Sequence, residues 1–156
     1  MIDDVAWLDE QEERLWRTWV KVNAQIAVTL QRELQDDSGL STSDLEVLVH
    51  LTDDPCGQVR VTDLAGLLQW ERSRLSHHVK RMEGRGLVLR TECPEDGRGA
   101  LVVVTAVGRN AIEQAAPGHV QTVRRLLFDV LTPDQTALLA DVLARLSAVH
   151  DQPGAR

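Results

Sequence analysis

The sequence lacks the long apolar runs and leader features of membrane-bound and exported proteins. Its apolar stretches, such as ALVVV at 100–104, are far shorter than the roughly 20 residues needed to cross a bilayer. The first residues, MIDDVAWLDEQEER, are acidic, whereas a secretory signal begins with a basic and then an apolar region. We therefore expect a cytoplasmic protein without a membrane partner.

Cysteine is scarce, and catalytic motifs are missing. Cys56 and Cys93 stand alone, and neither has a cysteine or histidine nearby at metal-ligand spacing. The adjacent His77 and His78 would point about 100° apart on a helix, so they do not form a metal site. The chain contains no G-x-S-x-G, no phosphate-binding glycine loop and no H-E-x-x-H. We predict reduced thiols, no metal, no cofactor and no enzymatic activity.

Positive charge is also scarce overall, but it is concentrated in one segment. The 156 residues have a formal net charge of -7. Residues 70–90, WERSRLSHHVKRMEGRGLVLR, contain six basic and two acidic residues, which gives a local charge of +4. Because salt screens charges beyond about 8–10 Å, this segment can attract a polyanion despite the acidic remainder.

Helical periodicity predicts a mainly α-helical protein. A long first helix is expected over 7–36, with Gly39 as its C-terminal cap. Ser43 and Glu46 have the spacing of a capping box for a second helix, and Thr62 can cap a short third helix.

The fourth predicted helix contains the basic segment. Leu75, Val79 and Met82 fall at positions i, i+4 and i+7 and form a narrow apolar stripe that would pack inward. The polar and basic residues surround the rest of this helix, with His78 expected to pack beneath it and His77 expected in solvent. Gly86 should end it.

After the fourth helix the pattern becomes that of β-strands. LVLRTEC and ALVVVT are rich in β-branched residues and are separated by PEDGRG. The step from Asp96 to Gly97 strongly favours a hairpin turn. The sequence therefore predicts a two-stranded hairpin here.

Two further helices are expected after the hairpin. Thr105 can cap the first, and Pro117 and Gly118 should kink or weaken its middle. TPDQ at 132–135 is a complete start signal for the last helix, with Thr as cap, Pro in the first position and Gln completing the box. These helices and the first have more apolar faces than one small lobe can cover, so they need each other or a second chain, and we expect a homodimer.

Helix, short helix, basic helix and hairpin is the element order of a winged helix-turn-helix. We predict such a DNA-binding domain over 42–105, flanked by dimerisation helices at 1–38 and 106–150. The second helix of the pair enters the major groove, where arginine can donate two hydrogen bonds to guanine. Arg98, between two glycines at the hairpin tip, can enter a narrow minor groove of double-stranded DNA.

The segments VTDLAGLLQWERSRLSHHVKRMEGRGLVLR and ECPEDGRGALVVVT resemble the DNA-binding core of the MarR family of bacterial transcription regulators. The resemblance extends over nearly the whole chain. It implies a homodimer on a pseudo-palindromic operator, most often a repressor, whose DNA affinity is modulated by a small aromatic or anionic ligand. The family's peroxide-sensing branch has a reactive cysteine early in the first helix, and this chain has none there.

The resemblance also implies roles for individual residues. The base-facing positions of the fourth helix are Ser73, Arg74 and His77. The side that faces the DNA backbone contains Ser76, Lys80 and Arg81. The predicted hairpin corresponds to the wing of the family. There Arg98 matches the family's arginine, and Asp96 matches the acid that steadies it. Gly97 stands where many members have a cation. Arg72 completes the predicted DNA-binding set.

The aromatic residues of this sequence are mostly tryptophan, with one Phe and no Tyr. Trp16 and Trp19 lie three positions apart on one face of the first helix, which is typical of core or dimer packing. The alternative is that they line an aromatic-ligand pocket, with Asn23 and His50 as its polar groups.

Two functional classes fit this sequence. A sequence-specific DNA-binding regulator is favoured, because a basic helix face and a wing arginine are needed for DNA. The alternative is a winged-helix module that binds another protein without specific DNA binding.

Overall fold

Six α-helices, a 3-10 helix and three β-strands make up residues 5–92 and 99–150, which are the residues that this computed structural model describes. In chain order they are α1 (Glu10–Ser38), α2 (Thr42–Asp53), β1 (Gln58–Arg60), α3 (Val61–Leu67), α4 (Arg72–Gly84), β2 (Val88–Glu92), β3 (Ala100–Val104), α5 (Ala106–Leu126), the 3-10 helix (Phe128–Val130) and α6 (Pro133–His150). The predicted mainly helical, winged helix-turn-helix fold is confirmed.

The chain divides into two compact units, Met1–His119 and Val120–Arg156. The first contains α1 to α4, the sheet and most of α5. The second contains the end of α5, the 3-10 helix and α6. None of the helices in the described ranges is long and apolar enough to cross a membrane.

The first helix begins three residues later than its predicted start at residue 7. Asp9 is the N-cap, and it forms a capping box with Glu12 that ends the extended segment before it. At the other end Gly39 adopts the left-handed conformation, with φ of 68°, and its N–H donates to the Gln35 carbonyl at 2.9 Å. The predicted cap at Gly39 is confirmed.

The predicted capping box of α2 is wrong by two residues. Ser41, and not Ser43, is the N-cap, and its hydroxyl accepts from the Asp44 N–H at 3.0 Å. The Asp44 carboxylate in turn accepts from the Ser41 N–H at 2.9 Å. Both pairs have the required spacing in the sequence. Burial distinguishes the two pairs. Asp44 is buried among partners from distant elements, whereas Glu46 is exposed.

The strand β1 was not predicted from the sequence. It pairs antiparallel with β3, with Val59 opposite Val102, so the sheet order is β1-β3-β2. The extended backbone of β1 leads directly into α3, whose N-cap Arg60 makes no side-chain capping bond. The predicted cap at Thr62 is therefore wrong, and its hydroxyl donates to Asp63 at 3.0 Å.

The inner face of α4 packs into the core as predicted. Leu75, Val79 and Met82 are almost completely buried, as is His78, whereas His77 is exposed. The same core cluster includes Leu48 and Leu51 of α2, Leu64 of α3, Val88 of β2 and Val102 of β3.

Gly86 ends α4, as predicted. Its φ of 73° lies in the left-handed region. The Gly86 N–H donates to the Glu83 carbonyl, and the Leu87 N–H donates to the Met82 carbonyl at 3.0 Å. The chain then enters β2, which pairs antiparallel with β3, with Val88 opposite Val104. The strands of the predicted hairpin are confirmed, and its turn at 96–97 lies outside the described residues.

Both predicted caps after the hairpin are confirmed. Thr105 Oγ1 accepts from the Gly108 N–H at 3.0 Å at the start of α5, and Pro117 lies inside that helix. In the second unit, Thr132 and Gln135 exchange backbone-to-side-chain bonds of 2.9 and 3.3 Å at the start of α6.

A buried carboxylate connects α2 with α4. Asp44 is 3% exposed, and its Oδ2 accepts from Nη1 of Arg85 at 2.7 Å. Its Oδ1 lies 3.1 Å from Nε2 of His78, although that contact is not aligned for a well-formed hydrogen bond. Burial alone would raise the pKa of Asp44, but the contact with His78 and the hydrogen bonds from Ser41 and Arg85 outweigh it. Together they hold this pKa well below its usual range.

We predict that Asp44→Asn lowers the free energy of unfolding at pH 7 by about 3 kcal/mol, because it leaves Arg85 without its anion and removes the carboxylate beside His78. This is the lower end for a broken buried pair, since Arg85 is partly exposed and can be rehydrated. At pH values above 3.8, the ordinary pKa of this group, the ionised Asp44 carboxylate stabilises the fold. That contribution is lost as the pH falls towards the lower pKa that Asp44 has in the folded protein. The difference between wild type and variant should therefore shrink below about pH 4.

Chemical denaturation followed by circular dichroism at pH 7 and pH 3 measures both effects. Glu46→Gln is the matched control, because Glu46 is exposed on the same helix and should change stability by no more than about 0.5 kcal/mol. Equal losses from the two variants, or a difference as large at pH 3 as at pH 7, would contradict this assignment of Asp44.

Candidate nucleic-acid interface

The turn between α3 and α4 sets the direction of the basic helix. Gln69 adopts the left-handed conformation, with φ of 53°. Its N–H donates to the Gly66 carbonyl at 3.1 Å, and the N–H of Trp70 donates to the Ala65 carbonyl at 2.9 Å. These two bonds form a Schellman motif, which ends α3 and fixes the backbone from which α4 starts.

The structure places the helix residues that were predicted to bind DNA together on the outer side of α4. The exposed members are Arg72, Ser73, Arg74, His77, Lys80 and Arg81, and Ser76 is half-buried beside them. The predicted wing residues Asp96 and Arg98 lie outside the described residues. The outer side of α4 is therefore a continuous polar and cationic surface.

The cations of this surface differ in how they are held. Within residues 5–92 and 99–150, no carboxylate pairs with Arg72, Arg74 or Lys80. Arg81 instead donates from Nη2 to Nδ1 of His78 at 3.0 Å. Because a guanidinium can only donate, Nδ1 of His78 is the acceptor in this contact.

Arg74 and Trp70 form a stacked pair at the start of α4. The Arg74 guanidinium carbon lies 4.2 Å from the centroid of the Trp70 ring. The Trp70 ring in turn meets His78 edge to face, with ring centroids 5.4 Å apart and planes at 89°. Arg74 is thus a cation over an aromatic face that is itself in contact with a buried side chain.

Three arginines surround a cavity of about 370 Å³ between α4 and the base of the hairpin. Arg72 and Ser76 come from α4, Arg60 from β1 and Arg90 from β2, and the remaining lining residues are Val61, Thr62, Gly99 and Ala100. Guanidinium groups and hydroxyls donate hydrogen bonds to oxyanions, so this cavity can accept a phosphate group. The cavity adds two cations to the set predicted from the sequence.

Arg60 and Arg90 were missed for different reasons. Arg90 belongs to the basic segment, but it follows the helix by six residues, and only the fold of β2 returns it to Ser76. Arg60 is isolated in the sequence, and its position depends on the unpredicted strand β1. The positive charge of residues 70–90 was a usable signal for Arg90. The sequence held no signal for Arg60.

Comparison with known proteins agrees with this geometry. The sequence model of the MarR family matches residues 40–99. Sco3205 of Streptomyces coelicolor, a MarR-family transcriptional regulator whose crystal structure contains DNA, is 37% identical. The match covers 97% of this chain and 95% of that chain, with a TM-score of 0.90. This chain belongs to the MarR family.

Two other regulators are similar to this MarR-family chain. AbsC of Streptomyces coelicolor is 36% identical, with 95% of this chain and 100% of that chain covered and a TM-score of 0.89. The uncharacterised HTH-type transcriptional regulator YdgJ of Bacillus subtilis (strain 168) is 32% identical over 109 residues. That match spans 70% of this chain and 65% of YdgJ, slightly under two thirds of its length. MarR-family proteins are transcription regulators and not enzymes, as the sequence predicted.

The residues predicted to line a ligand pocket lie on α1 and α2 of this MarR-family chain. Trp16 and Trp19 are 58% and 42% exposed. The side-chain amide of Asn23 donates to the Trp19 carbonyl at 2.9 Å, and His50 is half-buried on α2. Both indoles are therefore open to a partner or a ligand.

The structure adds no metal site to the described ranges. No group of three or more His, Cys, Asp or Glu side chains among those residues could hold a metal ion. Cys56 is a free, exposed thiol, and Cys93 lies outside the described residues.

Proposed function

We propose that the protein is a homodimeric, sequence-specific repressor that binds a pseudo-palindromic operator in double-stranded DNA in the cytoplasm. The observation that supports this most directly is the exposed outer face of α4, where Arg72, Arg74 and Lys80 have no carboxylate partner within the described chain. Cations that are exposed and not neutralised are available to phosphates and base edges.

The proposed DNA-binding residues contact different parts of the DNA. Ser73, Arg74 and His77 near the start of α4 face base edges in the major groove. Ser76, Lys80 and Arg81 contact phosphates and set the register, together with Arg72. Arg98, steadied by Asp96, enters the minor groove. Residues 42–105 form the DNA-binding domain in this proposal, and 1–38 and 106–150 form the dimerisation helices.

Dimerisation is supported by the apolar surface of the outer helices. Residues 10–25 of α1 are all exposed, and they include Leu15, Trp16 and Val20. In the second unit, α6 exposes Leu138, Val142, Leu143 and Leu146. Apolar stripes of this length on single helices are typical of an interface between subunits.

Selection of bound sequences from random duplex DNA tests the proposed function. We expect the purified protein to enrich a motif with two-fold symmetry, because two identical lobes contact two half-sites. Sedimentation equilibrium on the same sample should give the mass of a dimer. Failure to enrich any motif would favour the protein-binding alternative, and a monomeric mass would overturn the dimer.

Arg74→Ala and Lys80→Ala should weaken DNA binding in different ways. Arg74→Ala is expected to cost about 1–3 kcal/mol on the selected duplex and to relax the preference at one base pair, because it removes a base contact. Lys80→Ala should weaken binding to all duplexes and reduce the salt slope by about 1, because it removes one phosphate contact.

Fluorescence anisotropy on selected and scrambled duplexes over a range of salt concentrations separates the two effects, and each variant is the control for the other. Uniform weakening by Arg74→Ala would assign Arg74 to the DNA backbone. An unchanged salt slope for Lys80→Ala would remove Lys80 from the interface.

Control of DNA binding by a small aromatic or anionic molecule is part of the proposal. Among more distant proteins of the same fold, the organohalide-sensing regulator RdhR has been solved with bound 2,4-dichlorophenol, at 23% identity. The DNA binding of BpsR of Bordetella bronchiseptica is regulated by 6-hydroxynicotinic acid, at 20% identity. In this chain the exposed indoles of Trp16 and Trp19, with Asn23 and His50, are the proposed ligand-binding residues.

We predict that an aromatic ligand releases the selected duplex because it binds the DNA-free arrangement more tightly. Titration of the protein–DNA complex with 2,4-dichlorophenol and with 6-hydroxynicotinate, followed by anisotropy, measures this release. Trp19→Ala should abolish it and retain DNA affinity. Binding of DNA that neither compound changes, or release that Trp19→Ala leaves intact, would count against a pocket at these residues.

A further inference from the structure

Trp70 holds Arg74 in an arrangement that leaves the hydrogen-bond donors of Arg74 available. The guanidinium lies over the indole ring at 4.2 Å, so it uses its flat face for the contact. The N–H donors of a guanidinium point outward in its plane. Stacking therefore restricts the side chain without occupying the donors that a base edge would need.

Trp70 is itself fixed from two directions. Its backbone N–H donates to the Ala65 carbonyl at 2.9 Å in the turn that ends α3. Its half-buried ring packs against the hydrophobic core and meets the buried His78 ring edge to face. His78 is in turn held between Arg81 and Asp44. The indole is thus an extension of the core that reaches the base-facing side of α4.

Among the residues that the structure describes, no anion restrains Arg74. Within the described ranges the contact with Trp70 is its only recorded polar or aromatic interaction. A surface arginine without a partner loses side-chain entropy when it binds a base, and that loss weakens binding. An arginine that is already stacked has fewer conformations to lose.

We propose that Trp70 is a positioning residue for base recognition: it orients the Arg74 guanidinium towards the major groove and increases sequence specificity without contacting DNA itself. This inference rests on the proposed function of Arg74. It gives Trp70 a role beyond packing of the turn, and it predicts that the effect of Trp70 on DNA binding depends on Arg74.

A double-mutant cycle on the selected duplex tests the dependence. Trp70→Leu should weaken binding to that duplex about two- to fivefold, the ratio expected for an exposed cation–π contact, and should leave binding to a scrambled duplex unchanged. In an Arg74→Ala background the same substitution should have no effect. Trp70→Phe is the matched control, because it keeps an aromatic face and should retain most of the affinity.

NMR of the DNA-free protein tests the stacking separately. The side-chain N–H protons of Arg74 should be shifted upfield by the indole ring in wild type, and the shift should vanish in Trp70→Leu. Thermal unfolding shows whether each variant is folded. If leucine destabilises the turn, Trp70→Met replaces it in both experiments, since methionine fills irregular space without an aromatic face.

The possible results separate this inference from the proposed function. If wild type enriches no motif, sequence-specific binding fails and the role of Trp70 fails with it. If wild type enriches a motif but Trp70→Leu weakens binding equally in the Arg74→Ala background, or equally on scrambled DNA, Trp70 acts only through folding. That result overturns the inference and leaves the proposed function intact. The absence of a ring shift at Arg74 would overturn it as well.

Discussion

The Asp44 carboxylate, buried between α2 and α4, is the contact on which the position of α4 depends. It accepts from Ser41 at the start of α2 and from Arg85 just after α4, and it contacts His78 within α4. A buried carboxylate is tolerated only when its partners are all in place. Arg85 also donates to the Gly39 carbonyl at 2.8 Å, so the same cluster includes the end of α1. Together with the apolar stripe of α4, this cluster fixes which side of that helix faces inward.

The rotation of α4 separates its residues by function. Leu75, Val79 and Met82 face the core, and the cations face outward. His78 lies at the boundary between the two sides, because it contacts Asp44 inside and both Arg81 and Trp70 towards the surface. Arg81 and Arg74 are therefore held in place, whereas no hydrogen bond or ion pair within the described part of the chain holds Lys80. A held guanidinium can donate directional hydrogen bonds to a base edge or to a phosphate, whereas an ammonium attracts phosphates as a point charge.

Local signals predicted much of the fold and part of the site. The apolar stripe of α4, Gly86 and the cap at Thr105 are where the sequence indicated, because periodicity and capping depend on neighbouring residues. The cap of α2 was misplaced because two pairs had the same spacing and only burial of Asp44 separates them. The strand β1 was missed because three residues are too few for their alternation to be a signal, and its pairing partner β3 lies more than 40 residues away in the chain.

The sequence by itself determined the class of the protein. The order of helices and strands, the inward stripe and the concentration of cations within an acidic chain all indicate a winged helix-turn-helix regulator, and each is a property of neighbouring residues. Only the tertiary structure decided which cations act together. Arg60, Arg72 and Arg90 meet around one cavity because the sheet and α4 pack against each other, and Trp70 supports Arg74 because its ring rests on the buried His78. Contacts between distant elements depend on how the core packs, and no local pattern records that packing.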